Sequence, residues 1–304
     1  FLDRIAAFSD DLRDGLKGHV FTDTDRGFVN GGLGLEETVK FGIVGNIMHS
    51  GVRYSEGKYS TTPWAKEPYH SISYVEAHDN LTLWDKLMAT HPEAEESELI
   101  TMHRMANAIV LTSQGIPFIH AGSEFLRTKD GDHNSYRSPD SVNQLVWQRK
   151  ADYVDNVEYF KGLIELRKAH PAFRMDTADK IRTHLSFMEM PESNMIGYVL
   201  SEYANGDDWK NIVVLANANE EAIEVNLEER GWVVVVNGEK AGVRSLDKIS
   251  GSTIMVPAQT VMVLVDAKSM GGSKWMWYLA GLLILAAAGY IVYSKKEQLF
   301  TKKN

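Results

Sequence analysis

The chain has 304 residues, 44% hydrophobic and 24% charged, a composition that excludes disorder over most of its length and suits one large domain or two ordinary ones. Lys and Arg number 32 against 41 Asp and Glu, a net charge of −9, and residues 1–266 alone carry 26 against 40. That balance argues against a nucleic-acid partner, because phosphate binding needs a surplus of basic side chains on one face. There are 0 cysteines, which excludes a disulfide framework, a thiolate nucleophile and Cys-ligated zinc or iron–sulfur sites.

The first residue is Phe1, with no initiator Met and no basic segment followed by an apolar one, so the expectation is the C-terminal part of something longer. In chain order, residues 4–17, 81–90, 98–114 and 153–170 read as helices, with the short apolar runs 71–76 and 116–121 as strands between them. The alternation predicts an α/β fold of βα units around a parallel sheet whose strands are buried on both faces. From about Lys180 the pattern changes to β-branched runs at 212–215, 222–225, 232–236 and 260–265, separated by Asn, Gly and Glu clusters. Such spacing predicts a small antiparallel β-sandwich of about 85 residues. Gly271, Gly272 and Ser273 then read as a flexible linker. Residues 275–293 follow, 19 residues without a charge, edged by Trp275, Trp277 and Tyr278 on one side and Tyr290 and Tyr293 on the other. A run of about 20 apolar residues crosses roughly 30 Å of hydrocarbon, and aromatic rings at its ends suit the two headgroup levels. Lys295, Lys296, Lys302 and Lys303 lie beyond it, against Lys268 and Lys274 before it, which predicts a cytoplasmic C-terminus and a main body outside the cell. A buried core helix is the competing reading of the same run.

Two stretches concentrate chemistry. Tyr74 to Asn80 is an apolar strand that ends in His78 and Asp79 and runs into a helix. In a βα barrel the C-terminal strand ends build the active site, which suits His78 and Asp79 to catalysis. Asp79 or Asn80 could equally serve as the N-cap of the following helix, and position alone does not separate the two. The second stretch, residues 113–125, is a Gly-Pro turn, a short strand and a further turn, followed by a loop dense in polar groups: Arg127, Lys129, Asp132, Asn134, Tyr136 and Arg137 among them. Sugar hydroxyls need such mixed donors and acceptors, with rings such as Tyr136 and Trp147 to pack on sugar faces. The bland alternative is a solvated loop, and the run 128–132 is read that way.

YVEAHDNLTLWDKL at 74–87 resembles the fourth signature region of the α-amylase family of glycoside hydrolases. SQGIPFIHAGSEFLRTK at 113–129, followed by DHNSYRSPDSVNQLVW at 132–147, resembles the family's debranching members, the type I pullulanases. RIAAFSDDLRDGLKG at 4–18 is similar to the segment after the acid/base strand of the same enzymes. The resemblance covers essentially residues 1–266 and implies a retaining hydrolase of α-1,6-glucosidic linkages in pullulan, limit dextrin and amylopectin. It implies that Asp79 stabilises the transition state, that His78 contacts the same sugar, and that Asn134 and Tyr136 line the substrate cleft. No cofactor is implied as required, and calcium enters only as a structural ion found often in the family.

The family's nucleophile and acid/base motifs lie on barrel strands absent from these residues, whereas a retaining mechanism needs two carboxylates about 5 Å apart. Glu76 and Glu124 are tempting substitutes. The expected organisation is therefore residues 1–178 as the C-terminal part of a (β/α)8 TIM barrel, about strands six to eight. Residues 179–266 would form the β-sandwich, 267–274 a linker, 275–293 a transmembrane helix and 294–304 a basic cytoplasmic tail. Such a chain would be inactive alone. The rival reading is a noncatalytic, membrane-anchored α-glucan-binding protein.

Overall fold

The computed structural model describes residues 3–270. Three short strands, β1 (Ala7–Phe8), β2 (Ser71–Ser73) and β3 (Ile116–Pro117), pair in parallel in chain order. Around them lie α1 (Asp10–Lys17), α2 (Glu36–Ile43), α3 (Leu83–Thr90), α4 (Glu96–Thr112), α5 (Asp140–Asn143), α6 (Gln148–Asp152) and α7 (Val154–Ala169). After α8 (Ala178–His184) come β4 (Leu185–Phe187), β5 (Met195–Leu200), β6 (Ile212–Asn217), β7 (Ile223–Asn226), β8 (Trp232–Val236), β9 (Asp247–Ile249), β10 (Thr253–Val256) and β11 (Thr260–Asp266), then the single turn α9 (Ala267–Met270).

The helix foreseen over 4–17 begins only at Asp10. Ala7 and Phe8 are taken by pairing with β2, and the Ser9 N–H donates to the Ile72 carbonyl at 2.9 Å. Ser9 Oγ then caps the helix by accepting from the Leu12 N–H at 3.3 Å. The chain leaves α1 at Gly18, φ +90°, where a Cβ would stand 2.1 Å from the Asp25 carbonyl oxygen, so glycine is required there. The strands foreseen over 71–76 and 116–121 end at Ser73 and Pro117, and the remaining residues of each run form loops. The expectation of a parallel sheet buried on both faces holds for the central strand β2 but fails at the outer two, where Phe8 of β1 is 47% exposed and Ile116 of β3 43%, with Phe118 just beyond β3 at 38%. Phe8 stands edge-on to Tyr74 and Phe118, with ring centroids 4.9 and 5.3 Å away.

The antiparallel region is two sheets, as expected. Six strands run in the order β4-β5-β6-β11-β8-β9, and β10 pairs with β7 in a second, two-stranded sheet. Along β11, Met262 and Leu264 join Val225, Ile254 and Val256 in a core between the sheets, while Val261, Val263 and Val265 belong to the main core with α4 and α7. Each such buried aliphatic side chain contributes about 1.5–3 kcal/mol of transfer free energy. The Tyr198 hydroxyl of β5 donates to the Thr112 carbonyl at the end of α4, 3.0 Å away, so α4 is held by polar as well as apolar contact. Gly162 of α7 passes so close to the chain before β9 that a Cβ there would meet the Ala241 carbonyl oxygen at 1.9 Å.

Among the described residues no helix is long and apolar enough to cross a membrane. The expected membrane span at 275–293 and the basic tail at 294–304 lie outside the described residues.

Candidate active site

Because β1, β2 and β3 run parallel, their C-terminal ends open on one edge of the sheet, and the segments that follow them are neighbours. The Phe118 N–H donates to the Ser73 carbonyl at 2.9 Å, which starts the loop after β3 beside the loop after β2. From α1, Arg13 donates to the Tyr74 hydroxyl at 2.7 Å, and that hydroxyl donates to Asp10 at 2.8 Å.

The loop after β2 carries His78 and Asp79 out to solvent, with side chains 83% and 75% exposed and 3.5 Å between His78 Nε2 and Asp79 Oδ1. Neither Asp79 nor Asn80 caps the following helix. Thr82 does so, its hydroxyl accepting from the Asp85 N–H at 3.0 Å, which leaves the Asp79 carboxylate free of that task. Asn134 and Tyr136 are exposed in the loop after β3. The Asn134 N–H donates to Asp132 at 2.8 Å, and the Arg137 guanidinium lies over the Tyr136 ring, 5.0 Å from its centroid. Their recorded contacts thus fall within their own loop, and the pair the structure brings together directly is His78 with Asp79.

Beneath this exposed pair is a buried polar layer, which includes the Glu76 considered above as a substitute nucleophile. Glu76 is 3% exposed; it accepts the Leu83 N–H at 2.7 Å and stands 3.7 Å from His120. Burial pushes its pKa up, but hydrogen bonding and electrostatic attraction from His120, with smaller contributions from His103 and Ser123, outweigh that and hold it at about 2. Glu76 is therefore committed to the fold beneath the loop. Glu124 accepts from the N–H of Gly122 two residues earlier, at 3.1 Å, and closes its own turn. Neither behaves as a spare nucleophile. Lys17 of α1 donates to the Leu81 carbonyl at 3.1 Å, and burial lowers its pKa to about 8 against the pull of Glu76. Lys129, within the run 128–132 expected to be a solvated loop, is 1% exposed and corrects that expectation. Its ammonium donates to the carbonyls of His78 at 2.9 Å and Asn80 at 2.6 Å. In the sequence Lys17 is one charge of a helical run, Glu76 a candidate nucleophile and Lys129 one polar group of a loop, and nothing there marks any of the three as buried.

No group of three or more His, Asp or Glu side chains arranged to hold a metal ion occurs among the described residues. In this loop the Asp132 carboxylate accepts from the Asn134 N–H and the Ser138 hydroxyl.

The all-β domain of pullulanase, as a family model, matches residues 181–240. Pullulanase of Bacillus subtilis is 41% identical over 223 residues, covering 73% of this chain and 30% of that protein. Among solved structures, a pullulanase from Bacillus acidopullulyticus superposes with a TM-score of 0.78 at 41% identity, covering 86% of this chain and 30% of the other. A pullulanase from Paenibacillus barengoltzii, in complex with maltohexaose and α-cyclodextrin, superposes with a TM-score of 0.75 at 44% identity over 87% of this chain and 39% of that one. The chain thus spans between 30% and 39% of the length of these relatives. With the likeness carried by sequence and fold alike, over the part it shares with them the chain belongs to the type I pullulanases.

Proposed function

We propose that this chain is part of a retaining glycoside hydrolase that cleaves α-1,6-glucosidic linkages in pullulan and branched α-glucans. In this reading Asp79 stabilises the oxocarbenium-like transition state, His78 contacts the same sugar, and Asn134 and Tyr136 line the cleft. The observation that carries it is the placement of an exposed, uncapped Asp79 beside His78 at the C-terminal edge of a parallel sheet, where βα folds build active sites. The maltooligosaccharide bound to the Paenibacillus relative supports an α-glucan as the ligand.

We further infer that the three parallel strands belong to a (β/α)8 barrel completed by residues outside this sequence, which also supply the nucleophile and the acid/base. Open edges at β1 and β3 and the exposed Phe8, Ile116 and Phe118 support this, since closed barrels leave neither. The test is a reducing-sugar assay on pullulan with this chain alone and with this chain joined to its upstream reading frame, each with an Asp79→Asn counterpart. Turnover is expected in the longer form alone, and the substitution should lower it by about a hundredfold or more, the loss of several kcal/mol of transition-state stabilisation. Turnover by the 304-residue chain itself would refute the division of labour. If neither form turns over and both are retarded by glucan in an affinity gel, the glucan-binding reading replaces it.

The run 275–293 is proposed as a single membrane-spanning anchor with residues 1–266 outside the cell and the C-terminus inside, on its apolar length and flanking lysines. Removing residues 275–304 should move the protein from the membrane fraction to the soluble one; unchanged partitioning would end that reading.

A further inference from the structure

The turn that presents Asp79 is short, exposed at its tip, and held from beneath by buried charged side chains. Glu76 accepts the Leu83 N–H on its far side, and Lys17 donates to Leu81. Lys129 differs from both, because its single ammonium grips the carbonyls of His78 and Asn80, the two residues that flank Asp79. Asn80 has φ +60°, a left-handed conformation that asparagine tolerates, and this kink lets both carbonyls reach the same Nζ. Lys129 is itself fixed. Its own N–H donates to Asp85 Oδ2 at 2.8 Å, and the Thr128 hydroxyl donates to Asp85 Oδ1 at 2.5 Å. Asp85 sits in the first turn of α3, so the loop after β3, the helix after β2 and the Asp79 turn close into one ring of hydrogen bonds.

A fully buried lysine is an expensive way to fill space. Its ammonium's hydrogen bonds go to carbonyls, with Asp85, Asp132 and Asp79 acting on it through charge alone, and an apolar side chain would avoid the desolvation that burial imposes. What the ammonium provides, and an apolar side chain would not, is a fixed separation of the two carbonyls on either side of Asp79. We propose that Lys129 is a positioning residue that sets the orientation of the Asp79 carboxylate through the backbone of His78 and Asn80. This rests on the role given to Asp79 above, and the test keeps the two apart.

Two measurements decide it. On the 304-residue chain, amide hydrogen exchange across residues 77–83 is compared between wild type and Lys129→Met, with Lys129→Arg as the variant that keeps a cation. On the chain joined to its upstream reading frame, kcat and KM for pullulan are measured for the same variants, normalised to folded protein by circular dichroism. Expected are faster exchange in Lys129→Met confined to this turn, a kcat lowered about tenfold or more with KM little changed, and partial recovery of both in Lys129→Arg, since a displacement of about 1 Å at a reacting group can cost up to about a hundredfold. Exchange unchanged in the turn, or kcat kept within about twofold, overturns the proposal. A loss of activity that tracks only the folded fraction overturns it as well. If wild type does not hydrolyse pullulan, or Asp79→Asn retains full turnover, the assigned function fails instead, and the exchange comparison alone then upholds or overturns the grip of Lys129 on the turn.

Discussion

His103 is wholly buried in α4, and neither ring nitrogen has a hydrogen-bond partner. Burial lowers its pKa to about 4, with Glu76 pulling it upward and Arg104 adding to the fall. The unfolded imidazole titrates near 6.5, so between that pH and about 4 the unfolded chain binds the extra proton, and stability falls as the solution is acidified. Denaturant titrations across this window should lose up to about 1.4 kcal/mol per pH unit from this group, and His103→Leu should flatten the slope there. An unaltered slope in the variant would show that another group governs it. At this scale the sequence yielded His78 and Asp79, whose types and adjacency at the end of an apolar run speak of chemistry. It named Glu76 only as a stand-in nucleophile and Lys129 only as one polar group of a loop, and showed neither one's buried role. A dense run of charges read as solvated says nothing of one member folding back under a neighbouring turn. The run 71–76 does not place Glu76 on a strand, because the strand stops at Ser73, after which Tyr74, Val75 and Glu76 are all buried in the loop.

Among the elements, α7 meets the chain before β9 where Gly162 faces the Ala241 carbonyl. Helix propensity alone would have Gly162→Ala stabilise α7 by about 1 kcal/mol. The contact reverses the sign, since the added methyl would overlap a backbone oxygen that cannot move without shifting the strand connection. A lower melting temperature is expected for Gly162→Ala, and a higher one would mean that the contact yields easily. Long helices were legible: the runs 98–114 and 153–170 became α4 and α7, and the run 232–236 became β8. The start of α1 was not, because Ala7 and Phe8 satisfy helix and strand equally until β2 lies beside them. Strand β5 carries Ile196, Tyr198 and Val199 but is interrupted by Gly197, packed against Met190, and helix α2 starts from Leu35, an N-cap with no side-chain bond, so neither was marked cleanly in the sequence.

For the molecule as a whole, the order of a parallel α/β part followed by an antiparallel part was legible, because each imposes its own period of apolar residues. How the parts meet was not. Strand β11 reads as one apolar run, and only the structure assigns its alternate residues to different cores. The main core continues without interruption from Leu12 and Leu16 of α1 through α4 to Val261, Val263 and Val265. A sheet that serves two cores with opposite faces cannot lose one and keep the other, since melting either layer would bare half of β6, β8 and β11 to water. Scanning calorimetry on the described body should therefore record one heat-absorption peak with equal calorimetric and van't Hoff enthalpies. Two separated peaks would mean that the seam can open. Heat would then dismantle the candidate site and the sandwich in a single event, and damage in the distant sheet would be felt at Asp79 as lost abundance of intact protein rather than as slower chemistry.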